Sequence, residues 1–252
     1  YFNAASNLYE AQFVVDEVKA LRREGHDLIN IALLYRNNAQ SRILEQVLFK
    51  SGIPYKIHGG LRFFERQEIK HALAYLRLLV NPDDNNSLLR IINTPTRGIG
   101  TRTIEQIQDE AARMGISVWQ ALKLNTTHRA AAKLKVFVDL IESLTTQSHT
   151  LTLPALIEAV IADSGLYRMY EENKKESIDR LENLEELVSA ATQFQPEDES
   201  VNALTEFLTA AALEAGEHQA GEGEDALQLM TIHSAKGLEF DSVVVVAPEA
   251  YF

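Results

Sequence analysis

Two polar stretches each follow an apolar β run, and each carries groups able to bind phosphate. Tyr35 and Arg36 follow Ile-Ala-Leu-Leu at 31–34; His233, Ser234, Lys236, Gly237 and Glu239 follow the run at 227–232. A guanidinium presents a fixed fork of donors that matches phosphoryl oxygens, whereas a lysine ammonium is a compact point charge. Gly237 lets the backbone turn tightly or approach a ligand closely, and Glu239 offers an acceptor for sugar hydroxyls. The same residue types also fit an ordinary connection, with Tyr35 capping a core, Arg36 paired on the surface and His233 satisfied by backbone. His233 has no second histidine or carboxylate at ligand spacing, so no metal site is read there.

A third stretch, Thr94-Pro-Thr-Arg-Gly-Ile-Gly100, runs into Thr101, a candidate helix N-cap. A glycine-flanked loop at a helix N-terminus exposes amide donors that hold a phosphate without reading sequence. Thr96, Gly98, Gly100 and Thr101 form its backbone, and Arg97 and Arg102 add charge; a plain helix-helix connection is the competing account. Leu61-Arg62-Phe63-Phe64-Glu65-Arg66 interleaves aromatics with arginines, as a single-strand channel does and as a helix start packed on a sheet also does. At least one of Phe63 and Phe64 is expected in the core, with Arg62 or Arg66 near nucleic acid. Trp119 and Met114 are expected to fill a helical core. Asp198-Glu199 follows Pro196 in a polar linker rather than a buried strand, so it is not a metal-binding acid pair.

The runs at 227–232 and 242–246 are near-continuous aliphatic sequences, typical of strands buried on both faces of a parallel sheet. Ligands gather at the carboxyl edge of such sheets, where both polar stretches fall. Before them, 1–4 reads as a short strand, 9–23 as an amphipathic helix, 31–35 as a buried strand, 39–50 as a helix, 54–58 as a short strand and 65–80 as a helix. Strands alternating with helices imply a parallel sheet. After Pro82 only helical patterns occur, at 87–92, 101–114, 117–124, 129–145, 154–162, 176–193 and 201–215. The polar, acidic stretch 214–225 marks a boundary before the sheet resumes. Two final strands are too few to fold alone, so they return to the first sheet. The expected domains are 1–83 and 223–252 as one α/β unit, with 84–222 as an inserted all-α domain.

The chain has 252 residues, 46% of them hydrophobic, and no cysteine. Neither a disulfide frame nor a thiolate metal site is therefore available. No apolar run reaches the ~18 residues of a membrane span, so no membrane partner and a cytoplasmic location are expected. The formal charge of −12 is unevenly spread. Residues 91–135 hold 7 basic and 3 acidic side chains, whereas 136–225 hold 4 and 20. Binding follows local charge, so a nucleic-acid surface fits 91–135 and not the acidic stretch.

Thr-Ile-His-Ser-Ala-Lys-Gly-Leu-Glu-Phe-Asp at 231–241 resembles motif V of the UvrD/PcrA/Rep group of superfamily 1 DNA helicases. The stretch 33–42 resembles that group's motif IV, 59–79 the segment after it, and 93–104 its accessory-domain DNA-contact loop, all in the right order. The resemblance covers essentially the whole chain. It implies a RecA-like motor half-domain (2A) interrupted by a helical accessory domain (2B), within an ATP-dependent 3′-to-5′ helicase of the DNA-repair type. It further implies Tyr35 on the adenine face, Arg36 on the γ-phosphate, and Glu239 and the Gly237 backbone on the nucleotide. Thr231, His233 and Lys236 would face single-stranded DNA, with Thr96, Arg97, Gly98, Gly100 and Thr101 on the duplex.

The G-x-x-x-x-G-K-[ST] loop that would hold ATP and Mg²⁺ in this family does not occur in the sequence. The expectation is half of an ATP site, inactive alone, whose partners are the first half-domain of the same protein, single-stranded and duplex DNA, and repair proteins. The alternative is a non-catalytic DNA-binding or protein-docking module on the same scaffold.

Overall fold

The computed structural model describes residues 6–124, 130–172, 177–197, 200–216 and 224–246. The strand expected at 1–4 and the Asp198-Glu199 pair lie outside the described residues, as does most of the acidic stretch 214–225. The chain divides into two compact units, Tyr1–Arg66 with Ala212–Phe252, and Gln67–Ala211.

The first unit is a parallel sheet with helices. Helix α1 (Asn7–Arg23) starts at Ser6, whose Oγ accepts the Tyr9 amide, and buries Ala11, Val14, Val15 and Val18. The left-handed Gly25 (φ 98°) then redirects the chain. Strand β1 (Ile31–Tyr35) follows, then α2 (Ser41–Lys50) and β2 (Tyr55–Ile57). The late strands β3 (Leu227–Thr231) and β4 (Ser242–Val246) complete a sheet of order β2-β3-β1-β4. Every pairing is parallel, with Tyr35 opposite both Thr231 and Val246. The final strands therefore do return to the first sheet. One face of it, carrying Ile31, Leu33, Tyr35, Leu227 and Leu229, packs with Val14, Val18, Ile43 and Val47 of α1 and α2. This is the inward-facing half of a period-two pattern.

The second unit is helical: α3 (Gln67–Val80), α4 (Asn85–Ile91), α5 (Thr101–Met114), α6 (Val118–Leu124), α7 (Ala131–Gln147), α8 (Leu153–Asp163), α9 (Leu166–Glu172) and α10 (Ser177–Gln193). A last helix, α11 (Ala203–Gly216), runs across the division at 211/212. Helix α9 has no counterpart among the expected helices, because seven residues directly after Gly165 show too little of a helical period. The sequence pattern assigns α3 to the sheet, yet by its packing it belongs to the helical unit, with ten buried residues. Trp119 is buried as expected, but Met114 is 53% exposed. Met114 ends α5 just before the left-handed Gly115, where the helix face turns to solvent. No helix among the described residues is long and apolar enough to cross a membrane.

Candidate functional site

Two elements far apart in sequence form one rim. Strands β1 and β3 end in register, and the Ile232 amide donates to the Tyr35 carbonyl at 2.9 Å. Arg36 and the loop after Thr231 thus leave neighbouring strands at the same carboxyl edge.

Arg36 is exposed, and its guanidinium has no hydrogen bond or ion pair among the described residues. Its backbone, by contrast, is fixed. Gln40 Oε1 accepts the amides of Arg36 (2.9 Å) and Asn37 (3.3 Å), while Asn37 Oδ1 accepts the Gln40 amide at 3.2 Å. This reciprocal capping box holds the turn that carries a free guanidinium. Sequence reasoning missed Gln40, although the Asn-x-x-Gln spacing signals such a box.

On β3's side, the Thr231 hydroxyl accepts the Ser234 amide at 3.2 Å and shares a 2.9 Å hydrogen bond with Ser234 Oγ. Thr231, expected to face DNA, is thereby occupied in shaping its own loop. The Ala235 amide returns to the Thr231 carbonyl, and Gly237 turns the chain at φ 86°. His233, Lys236, Gly237 and Glu239 are all exposed. The turn after β2 closes against this loop: a Cβ on Gly59 would sit 3.2 Å from Ser234 Oγ. Nearby, His58 hydrogen-bonds Gln228 through its Nε2.

Two expected contacts are corrected. Tyr35 is 1% exposed and lies in the core cluster, so its ring is closed to an adenine. It is the inward residue of β1's alternation, and burial with the nearby Glu45 carboxylate pushes its phenol well up. Arg62 is also buried. Its guanidinium binds Glu65 and the carbonyls of Glu214 (3.4 Å) and Ala215 (2.9 Å), where α11 ends. A cation at a helix C-terminus satisfies orphan carbonyls and the helix dipole, which leaves little for DNA. Beside it, Glu45 accepts the Ser41 hydroxyl (2.6 Å) and the Phe63 amide (3.1 Å), with Arg66 at 3.8 Å. Arg66 donates to Ser41 Oγ and to the Leu61 carbonyl, so it too is turned inward. Phe63 and Phe64 are both core residues.

In the helical unit, the 93–102 loop is built from inside. Asn93 Oδ1 accepts the amides of Arg97 and Ile99, and Ile99 is fully buried as a plug between exposed glycines. Arg97, expected on the duplex, is a third correction. It donates to the carbonyls of Ile91, Pro95 and Ser164 and to the Tyr75 hydroxyl, and lies over the Tyr75 and Phe137 rings. A planar fork with five donors can serve four acceptors at once. What remains outside is Thr96, Gly98, Gly100, Thr101 and Arg102. Helix α5 is capped by Gly100 rather than Thr101, with no side-chain cap. The Thr101 and Arg102 amides therefore have no acceptor among the described residues, and Lys133 Nζ stands 3.0 Å from the Gly98 carbonyl.

The family model described as UvrD-like helicase C-terminal domain matches residues 1–250. DNA helicase II of Escherichia coli (strain K12) is 48% identical over 254 residues, spanning 98% of the chain and 35% of that relative. DNA helicase II of Haemophilus influenzae is 46% identical over 256 residues, with the same coverages. ATP-dependent DNA helicase PcrA of Bacillus subtilis (strain 168) is 39% identical over 262 residues, spanning 99% of the chain and 35% of the relative. The chain thus spans about a third of the length of the curated relatives it matches.

Proposed function

Since the chain belongs to the family of UvrD-like helicase C-terminal domains, we propose that it is the second motor half-domain (2A) of an ATP-dependent DNA helicase, carrying an inserted accessory domain (2B). The single observation that carries this reading is the shared rim: Tyr35 opposite Thr231, with Arg36 and the 232–239 loop leaving together. A free guanidinium on a rigid turn suits the γ-phosphate of a nucleotide held by a first half-domain, where it offsets charge developing during transfer. Glu239 and the Gly237 backbone lie on the same rim for the sugar. His233 and Lys236, on that loop too, suit a strand's phosphates, so closure on ATP would move them with Arg36.

The exposed 96–102 loop, with uncapped amides at α5's start and Arg102 beside them, suits a duplex backbone. Action in DNA repair and 3′-to-5′ polarity rest on the family alone. No group of three or more His, Cys, Asp or Glu side chains able to hold a metal ion occurs among the described residues.

The test joins this chain to a phosphate-loop half-domain of the family and measures DNA-stimulated ATP hydrolysis. Hydrolysis should appear on joining, and Arg36→Ala should lower kcat by about a thousandfold, the scale of an arginine finger, with single-strand affinity kept. No hydrolysis on joining would favour a non-catalytic binding module, and an unchanged kcat in Arg36→Ala would remove Arg36 from the nucleotide.

A further inference from the structure

Helices α8, α9 and α10 enclose an open cavity of 510 Å³, lined by Ile161, Ala162, Tyr167, Leu184 and Val188 with Glu158 and Glu185 on it. The lining residues fall at helical spacing. On α8 they are 158, 161 and 162; on α10 they are 184, 185, 188, 189 and 192. The α10 row covers two turns, about 12 Å at 1.5 Å per residue. The cavity is therefore a groove along a helix rather than a pit. Its floor is aliphatic, and Tyr167 stands 41% exposed beside it.

Charge selects what can lie there. The three helices hold eight acidic side chains and two basic ones. Both basic groups are engaged elsewhere: Arg168 pairs with Glu172 at 2.9 Å, and Arg180 lies over the Tyr170 ring. Glu158 and Glu185 have no basic side chain with them in the lining. Nucleic acid is repelled by such a surface, and an acidic peptide likewise. A two-turn apolar strip matches the i, i+4, i+7 anchors of an amphipathic helix, and carboxylates beside it match Lys or Arg flanking those anchors.

We propose that the α8–α10 groove is a docking site for a basic amphipathic helix of another protein. The inference stands apart from the nucleotide and DNA assignments, since none of the lining residues belongs to them.

The probe is a fluorescein-labelled peptide built on the heptad Leu-Lys-Lys-Leu-Leu-Lys-Lys, titrated by anisotropy against the whole chain, beside the same peptide with every Lys replaced by Glu. The basic peptide should bind and the acidic one should not. Ala162→Phe fills the groove from an exposed position, and Glu158→Lys with Glu185→Lys reverses its charge. Each should weaken the basic peptide at least about tenfold, whereas Asp139→Lys on α7 should leave it within about twofold. Circular dichroism confirms that each variant is folded. Absence of binding, equal binding of both peptides, or loss on charge reversal without loss on filling would overturn the proposal.

Discussion

Arginine 97 and arginine 102 lie five positions apart and have opposite fates. Arg97 spends its donors on three carbonyls and a tyrosine hydroxyl, and Arg102 is exposed at an uncapped helix start. The dependence of duplex affinity on salt separates the two roles. Arg102→Ala should lower the slope of log affinity against log salt by about 1, the share of a single phosphate. Arg97→Ala should weaken binding with the slope unmoved, because it unlocks a loop while every phosphate keeps its partner. Arg97→Lys should not restore affinity, since one ammonium cannot reach four acceptors. A slope reduced by Arg97→Ala would return that residue to the interface. None of this is legible in Thr-Arg-Gly-Ile-Gly, because one of Arg97's acceptors, the Ser164 carbonyl, is 67 residues away. Tyr35 fails for a simpler reason. Its type suits stacking on a base, but strand parity points it into the core. Arg36, one residue later, inherits the outward direction, and that much follows from period two alone.

Among the elements, α2 and the 61–66 loop depend on one buried polar group. Glu45 is 5% exposed and accepts from Ser41 and the Phe63 amide, with Arg66 alongside. Glu45→Ala would leave the buried Phe63 amide without its acceptor and the buried Arg66 guanidinium without its counter-charge, at a cost of about 3–5 kcal/mol. Hydrogen exchange at β1 and β3 amides should report the loss. Exchange as slow as in the unchanged chain would make the cluster incidental. The elements themselves were largely legible, since the aliphatic runs of β1, β3 and β4 and the amphipathic α1, α5 and α10 carry strong periodic signals. The placement of α3 was not, because an alternating strand-helix pattern cannot tell which body a helix packs on.

Across the whole molecule the two units respond to acid with opposite sign. In the sheet unit, burial raises the Glu214 carboxyl from 4.5 to about 7, with Arg42 opposing and Glu45 adding to the shift. The folded state then binds the proton more tightly than the unfolded chain. Glu214's contribution is thus fully present below pH 4.5 and is lost as pH rises through about 7. In the helical unit, burial and then the charges of Arg90 and Arg180 lower His71 from 6.5 to about 4. That contribution is present above pH 6.5 and lost as pH falls through about 4. Between these limits, acidification should protect β1 and β3 amides from exchange while Trp119 fluorescence, which reads the helical unit, shows earlier unfolding in denaturant. Glu214→Gln should weaken the first trend, part of which belongs to the buried Glu45 carboxyl, also raised by burial, and leave the second. Parallel trends in the two probes would contradict the assignment.

The strand order carries a last consequence, for how the chain is made. Strand β1 pairs with β3 and β4, and β2 pairs with β3, so among the described residues no strand before residue 227 has another early strand for a neighbour. A nascent chain emerging from the ribosome exposes the unpaired edges of β1 and β2 for the whole time the helical unit is being translated. That unit, closed within Gln67–Ala211, can fold while they wait. An arrest at residue 211 should yield a protease-resistant helical body on an aggregation-prone leader. Release past residue 246 should bury that leader in a single late event.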